Sequence, residues 1–198
     1  AAVVAQTLEQ ARQAAEAIDV DYDSLPVAVR LADATAPSAP LMCEELGDNI
    51  AAEMRHGDAK ATAAAFAAAK HVVRLNIANQ RLSALALEPR SVLHTYDAES
   101  GRLTIRMSSQ MPSGLRDTVC GALNLPKAQC RVIVGDVGGG FGMKTGAYPE
   151  DVAVAFCCRA LKRPVKWIAD RSEEFLSAGH GRDVDSVAEL ALDANGKI

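Results

Sequence analysis

Residues 131–137 read Arg-Val-Ile-Val-Gly-Asp-Val, and they empty directly into Gly138-Gly-Gly-Phe-Gly-Met-Lys-Thr145. The β-branched content of the first run predicts a buried strand. A strand that ends in glycines narrows what the chain can fold into. Without a Cβ, successive residues can take positive φ and turn their N–H groups toward a ligand that approaches the bare backbone. The one bulky side chain in the run, Phe141, would then form an apolar wall beside whatever reacts there. A plainer reading of the same residues is a tight strand-to-helix turn.

The spacing breaks the patterns of the two common phosphate loops. Gly138, Lys144 and Thr145 match the P-loop pattern, but Met143 stands before the lysine, where a phosphate-wrapping loop needs glycine. A dinucleotide fingerprint fails as well. Gly138-x-Gly140 leads to Met143 where its third glycine belongs, and Gly140-x-Gly142 leads to Thr145. A phosphate-binding module built on Lys144 and Thr145 is kept as an alternative.

Composition excludes other classes. The 198 residues are 49% hydrophobic and 23% charged, enough for a buried core, and the net charge of -4 offers no basic field for nucleic acid. No apolar stretch approaches the ~20 residues that span a bilayer, so a cytoplasmic setting is the default expectation. The cysteines at 43, 120, 130, 157 and 158 form no C-x-x-C pair, and the histidines at 56, 71, 94 and 180 form no ligand pair. Local spacing therefore predicts no metal held by side chains.

Periodicity predicts an amphipathic helix over Thr7–Ile18, with Leu8, Ala11, Ala15 and Ile18 on one face. Ala1–Ala5, Val20–Asp23 and Pro26–Leu31 read as strand-like. Residues 33–60 lose periodicity and read as a connection between units. A short helix is expected over Ala59–Lys70, and strands over His71–Ile77, Val92–Tyr96 and Leu103–Met107, the last two joined by a turn at Ala98–Arg102. Ser113 is the expected cap of a helix over Gly114–Leu123. After the glycine loop, Pro149 opens a helix over Glu150–Leu161, with Val152, Ala155, Phe156 and Cys157 on its buried face, and Pro164–Ile168 is a strand. The fold class is α+β. Asn195-Gly196 is a hairpin turn with only a two-residue return strand, and this chain, which lacks an initiating methionine, reads as an internal fragment of a longer protein.

Several short words occur in a fixed order: Glu88-Pro-Arg90, Ser108-Ser-Gln110, Gly135-Asp-Val-Gly-Gly-Gly-Phe-Gly-Met-Lys144, Tyr148-Pro-Glu150, Arg163-Pro-Val-Lys-Trp167, Arg171-Ser-Glu173 and His180-Gly-Arg182. In this order the sequence resembles the large subunits of molybdenum hydroxylases, the family of xanthine dehydrogenase, aldehyde oxidase and aerobic carbon monoxide dehydrogenase. The resemblance implies that residues 1–32 are the C-terminal part of an α/β hammerhead domain, 33–60 a connection, and 61–198 the N-terminal part of a molybdopterin-binding domain.

It further implies molybdenum held by a pterin dithiolene, in the plain or the cytosine dinucleotide form. Gln110 would hydrogen-bond an oxygen ligand of the molybdenum or a group on the pterin. Gly139, Gly140 and Gly142 would bring backbone against the cofactor, and Phe141 would sit beside the metal's open face. Glu88 would support the site from a strand, while Arg171 with Glu173, and Arg182, would be ion-pair or loop-ordering residues. No catalytic residue is expected within 1–198, because the family's glutamate base lies further C-terminal. The chemistry implied is hydroxylation of a small substrate with oxygen from water. FAD and 2Fe-2S clusters are expected on partner subunits, a flavin-binding and an iron–sulfur one, assembled as a dimer of heterotrimers. Thr145 stands where purine-oxidising members carry glutamate, so xanthine is disfavoured. An aldehyde, an N-heterocycle or carbon monoxide is left. None of the five cysteines sits in a copper-binding Cys-Ser-Phe-Arg loop. A non-catalytic scaffold of the same fold is the third alternative.

Overall fold

The computed structural model describes residues 1–198, which divide into two compact units. One comprises residues 1–21 and 83–181, the other residues 22–82 and 182–198.

The first unit is built on a four-stranded sheet. Ser91–Asp97 pairs antiparallel with Arg102–Met107 on one side and with Val165–Ile168 on the other, and Cys130–Ile133 lies parallel to Arg102–Met107. The hairpin turn falls where the sequence places it, with Gly101 at φ +68° and the Asp97 carboxylate accepting the N–H of Glu99 at 3.1 Å. A parallel neighbour needs a crossover. The helix Pro112–Ala122 supplies it, and Pro149–Leu161 makes the second crossing, from the glycine loop to the strand Val165–Ile168. Leu115, Val119 and Cys120 on the first helix and Val154, Ala155 and Cys158 on the second pack with Val92, Leu103, Ile105, Cys130 and Val165 in one core.

This topology brings three segments to one edge. Arg106 is in register with Ile133, so both parallel strands leave the sheet on the same side. Val92 is in register with Met107, so the residues before Ser91 enter there too. Residues 86–90, 108–110 and 134–145 therefore converge, at the carboxyl ends of parallel strands, where open α/β sheets bind ligands.

In the second unit, His71–Asn79 pairs antiparallel with Val184–Leu192 as a two-stranded ribbon, and Asp58 caps the helix Ala59–Ala68 by accepting the N–H of Ala61 at 2.9 Å.

Several expectations need correction. Residues 1–5, 20–23 and 26–30 form no strand, and Leu31–Ala34 is a single helical turn. Their β-branched residues meet no partner strand, and Pro26 cannot donate to a ladder. The strand expected to Val137 stops at Ile133, as the backbone turns toward the loop. The helix over Leu8–Glu16 is capped by the Thr7 hydroxyl and ends before Ile18. Ser113 is no cap: Pro112 opens that helix, and Met111 precedes it without a side-chain bond. On the helix Pro149–Leu161 the buried residues are Asp151, Val154, Ala155 and Cys158, while Phe156 is exposed. Asn195-Gly196 does turn, closed by Asp193 N–H to Lys197 O at 2.9 Å, but the ribbon's partner strand is His71–Asn79.

Candidate cofactor site

Glu88 and Lys144 form the centre of the converged edge. Lys144 is 3% exposed. Its three ammonium protons meet three acceptors: Glu88 O at 2.9 Å, Glu88 Oε2 at 3.0 Å and Ser108 Oγ at 3.0 Å. The Glu88 carboxylate also accepts the Ser108 hydroxyl at 2.7 Å and the N–H of Gly138 at 2.7 Å. These bonds, the Ser108 hydroxyl foremost, hold the Glu88 carboxyl below its ordinary value against the opposing effect of burial. Glu88 occupies a bend rather than the strand expected for it.

This geometry disposes of the phosphate-loop alternative. A P-loop lysine must reach a ligand, whereas Lys144 is buried with every donor occupied. Thr145 is spent as well, donating its hydroxyl to Gly142 O at 2.7 Å.

Gln110 fastens the other side of the loop. Its Oε1 accepts the N–H groups of Gly142 at 3.1 Å and Lys144 at 3.2 Å, and its own N–H donates to Lys144 O at 2.9 Å. Because both side-chain partners are N–H donors, the carbonyl must face the loop. The Nε2 amide is left without a partner in the protein, at the exposed side.

The glycines are required by contact and by conformation. A Cβ on Gly140 would stand 2.5 Å from Gln110 Cδ, and one on Gly138 would stand 2.5 Å from Glu88 Cβ. Gly139 and Gly142 take φ of +98° and +88°. Phe141, at φ +51°, shares the left-handed region, which a bulky residue rarely adopts, and the residue is 75% exposed. The N–H groups of Gly139, Gly140 and Phe141 have no acceptor within the protein.

Arg171 pairs with Glu174 at 2.6 Å, not with the expected Glu173, because three residues along a helix brings the two onto one face. Burial foremost pushes the Glu173 carboxyl up. Arg182 forms no ion pair, while its neighbour Asp183 pairs with Arg81. No group of three or more His, Cys, Asp or Glu side chains is arranged to hold a metal ion.

Residues 42–198 match the family described as the molybdopterin cofactor-binding domain. The chain belongs to that family. It is 34% identical over its whole length to the carbon monoxide dehydrogenase large chain of Hydrogenophaga pseudoflava, covering 26% of that protein. It is equally 34% identical to subunit gamma of the 6-hydroxypseudooxynicotine dehydrogenase complex of Paenarthrobacter nicotinovorans, covering 24% of it. Quinoline 2-oxidoreductase from Pseudomonas putida 86 superposes with a TM-score of 0.83 at 33% identity, over 96% of this chain and 24% of that one. The chain thus spans about a quarter of the length of the relatives it matches.

The residues present fit a molybdopterin. Three N–H groups without acceptors and the free Gln110 amide are donors for a polar, anionic group, and the glycines at 138 and 140 hold the backbone close against its supports. Sequence reasoning missed Ser108 and Lys144 as the lock behind the loop. A lysine among glycines suggests a ligand contact, and only the convergence of the strand ends shows that it points inward.

Proposed function

We propose that this chain forms the cofactor clamp of a molybdenum hydroxylase large subunit. The subunit would oxidise a small substrate with oxygen drawn from water, the substrate being an aldehyde, an N-heterocycle or carbon monoxide. The observation that carries the proposal is the loop 138–142, locked from behind by Glu88, Lys144 and Gln110 while the N–H groups of Gly139, Gly140 and Phe141 lack acceptors.

On this reading the bound cofactor supplies the redox chemistry. The chain's own residues bind and orient it: the three N–H groups and Gln110 Nε2 donate to it, Gly142 supplies the turn, and the Phe141 ring walls the approach of substrate. The cofactor would take the plain or the cytosine dinucleotide form. Electrons would leave through a flavin-binding and an iron–sulfur subunit, in a cytoplasmic dimer of heterotrimers. Residues 1–32 would close an α/β hammerhead domain and residues 61–198 open the molybdopterin-binding domain. Lacking the family's base, residues 1–198 alone would turn nothing over.

The test is metal and pterin analysis of the intact protein from a host that makes the cofactor, beside Gly140→Ala. Stoichiometric molybdenum in the natural protein is expected, with loss in the variant at unchanged circular dichroism. The added methyl must displace Gln110 from both loop amides. A folded, molybdenum-free natural protein, or full occupancy in the variant, would refute the proposal.

A further inference from the structure

Glu174 is 2% exposed, and its hydrogen bonds run to Arg90 and Arg171 rather than to the glycine loop. Its Oε1 accepts the N–H of Arg90 at 2.7 Å, and its Oε2 accepts Arg171 Nη1 at 2.6 Å. Arg171 then grips two carbonyls, Ala86 O through Nη1 at 2.8 Å and Leu87 O through Nη2 at 3.0 Å. Backbone groups on both sides of Glu88 are therefore fastened to one short helix, Arg171–Ser177. Leu87 is 91% exposed, so beyond the buried Ala86 these polar bonds are what hold the bend.

The opposite side of the bend carries the loop. Glu88 donates its N–H to Gly138 O at 3.1 Å and takes back the N–H of Gly138 at 2.7 Å, while Lys144 binds Glu88 O. Ala86 is fully buried, and a Cβ on Gly139 would lie 3.4 Å from its Cβ. A shift of residues 86–90 would move Gly138, Gly139 and Lys144 together.

We propose that Glu174, acting through Arg171, is a positioning residue for the glycine loop. The pair sets where the bend lies, the bend sets where Glu88 lies, and Glu88 sets how the N–H groups of 139–141 are offered. The inference rests on the preceding reading for what the loop holds, but not for how the loop is ordered.

The experiment is amide hydrogen exchange on the intact protein made in a host without the cofactor. It compares Arg171→Ala, at a partly exposed position, with Glu174→Gln, which keeps an acceptor for Arg90 but drops the charge facing Arg171. In both, exchange at residues 138–144 should accelerate about tenfold or more, while the strands Ser91–Asp97 and Arg102–Met107 keep their protection. Molybdenum content from a cofactor-competent host should fall in step. Unchanged loop exchange in both variants would overturn the proposal. Equal acceleration in loop and strands would overturn it too, since the pair would then only support the fold. A natural protein without molybdenum would sink the functional reading and leave the exchange result to decide this one.

Discussion

The side chain with most at stake in the site is Lys144, because its charge is buried and its three protons are all spent on Glu88 and Ser108. Removing one partner of such a pair strands the other. Glu88→Ala should destabilise the intact protein by about 3–5 kcal/mol, whereas replacing both charges, as in Glu88→Ala with Lys144→Met, should cost clearly less than the sum of the two single changes. Denaturant unfolding of the four proteins checks this, and strict additivity would mean that the pair is not coupled. Conformation adds a second constraint at this scale. Phe141 is held at positive φ between Gly140 and Gly142, a cost of order 1–2 kcal/mol that the flanking bonds to Gln110 must offset. The sequence offered Gln110, the glycines and Phe141 as candidates through their order in the chain. It hid the lock, because nothing local distinguishes a lysine reaching outward from one folded back under a loop.

Elements were legible wherever a periodic pattern coincided with a tertiary partner. The helix Ala59–Ala68 and the strands Ser91–Asp97 and Arg102–Met107 lie within a residue or two of where patterning puts them. Residues 20–31 fail for the opposite reason: strand propensity is only a fit to a neighbouring strand, and there is none. The buried face of Pro149–Leu161 departs from the hydrophobic pattern because Asp151 is inside, its carboxylate accepting the N–H of Tyr148 at 2.8 Å, a satisfied polar group that such patterning counts as exposed. The strand Ser91–Asp97 carries its own surprise. His94 is fully buried between Ile105 and Val165 with neither ring nitrogen hydrogen-bonded, and burial pulls its pKa from 6.5 down to about 4. The native state thus favours the neutral ring. Between pH 6.5 and 4 the unfolded chain binds the extra proton, so stability falls as pH drops through that window, by about 1.4 kcal/mol per unit, and is flat above it. Asp151, whose carboxyl burial raises, opposes this by favouring the native state at low pH. A His94→Gln comparison isolates the histidine. The difference in melting temperature between the two proteins should be constant from pH 8 to 6.5 and then move against the natural protein down to pH 4. A constant difference throughout would show that His94 does not titrate on unfolding.

At the scale of the whole chain, the two-stranded ribbon sets the strongest demand. Residues directly opposite in an antiparallel pair share a face, and Val73 opposes Leu190, Leu75 opposes Ala188, and Ile77 opposes Ser186. One face therefore carries an apolar row interrupted by Ser186, while the other carries Arg74 paired with Glu189 at 3.3 Å. Val73, Leu75, Ile77 and Leu190 are 41–57% exposed in this chain. An isolated two-stranded ribbon is marginal in water, and such a row invites association. Since the chain spans about a quarter of its relatives' length, the polypeptide of residues 1–198 made by itself is expected to meet this demand by self-association. Sedimentation at micromolar concentration should show oligomers that bind a hydrophobic dye. Leu75→Lys with Ile77→Lys should shift the polypeptide toward monomer and reduce dye binding, because two charges then sit in the middle of the row. The same two changes in the intact protein should lower its melting temperature if that face is covered there. A dye-silent monomer without the substitutions would show that the row is not the surface that drives association.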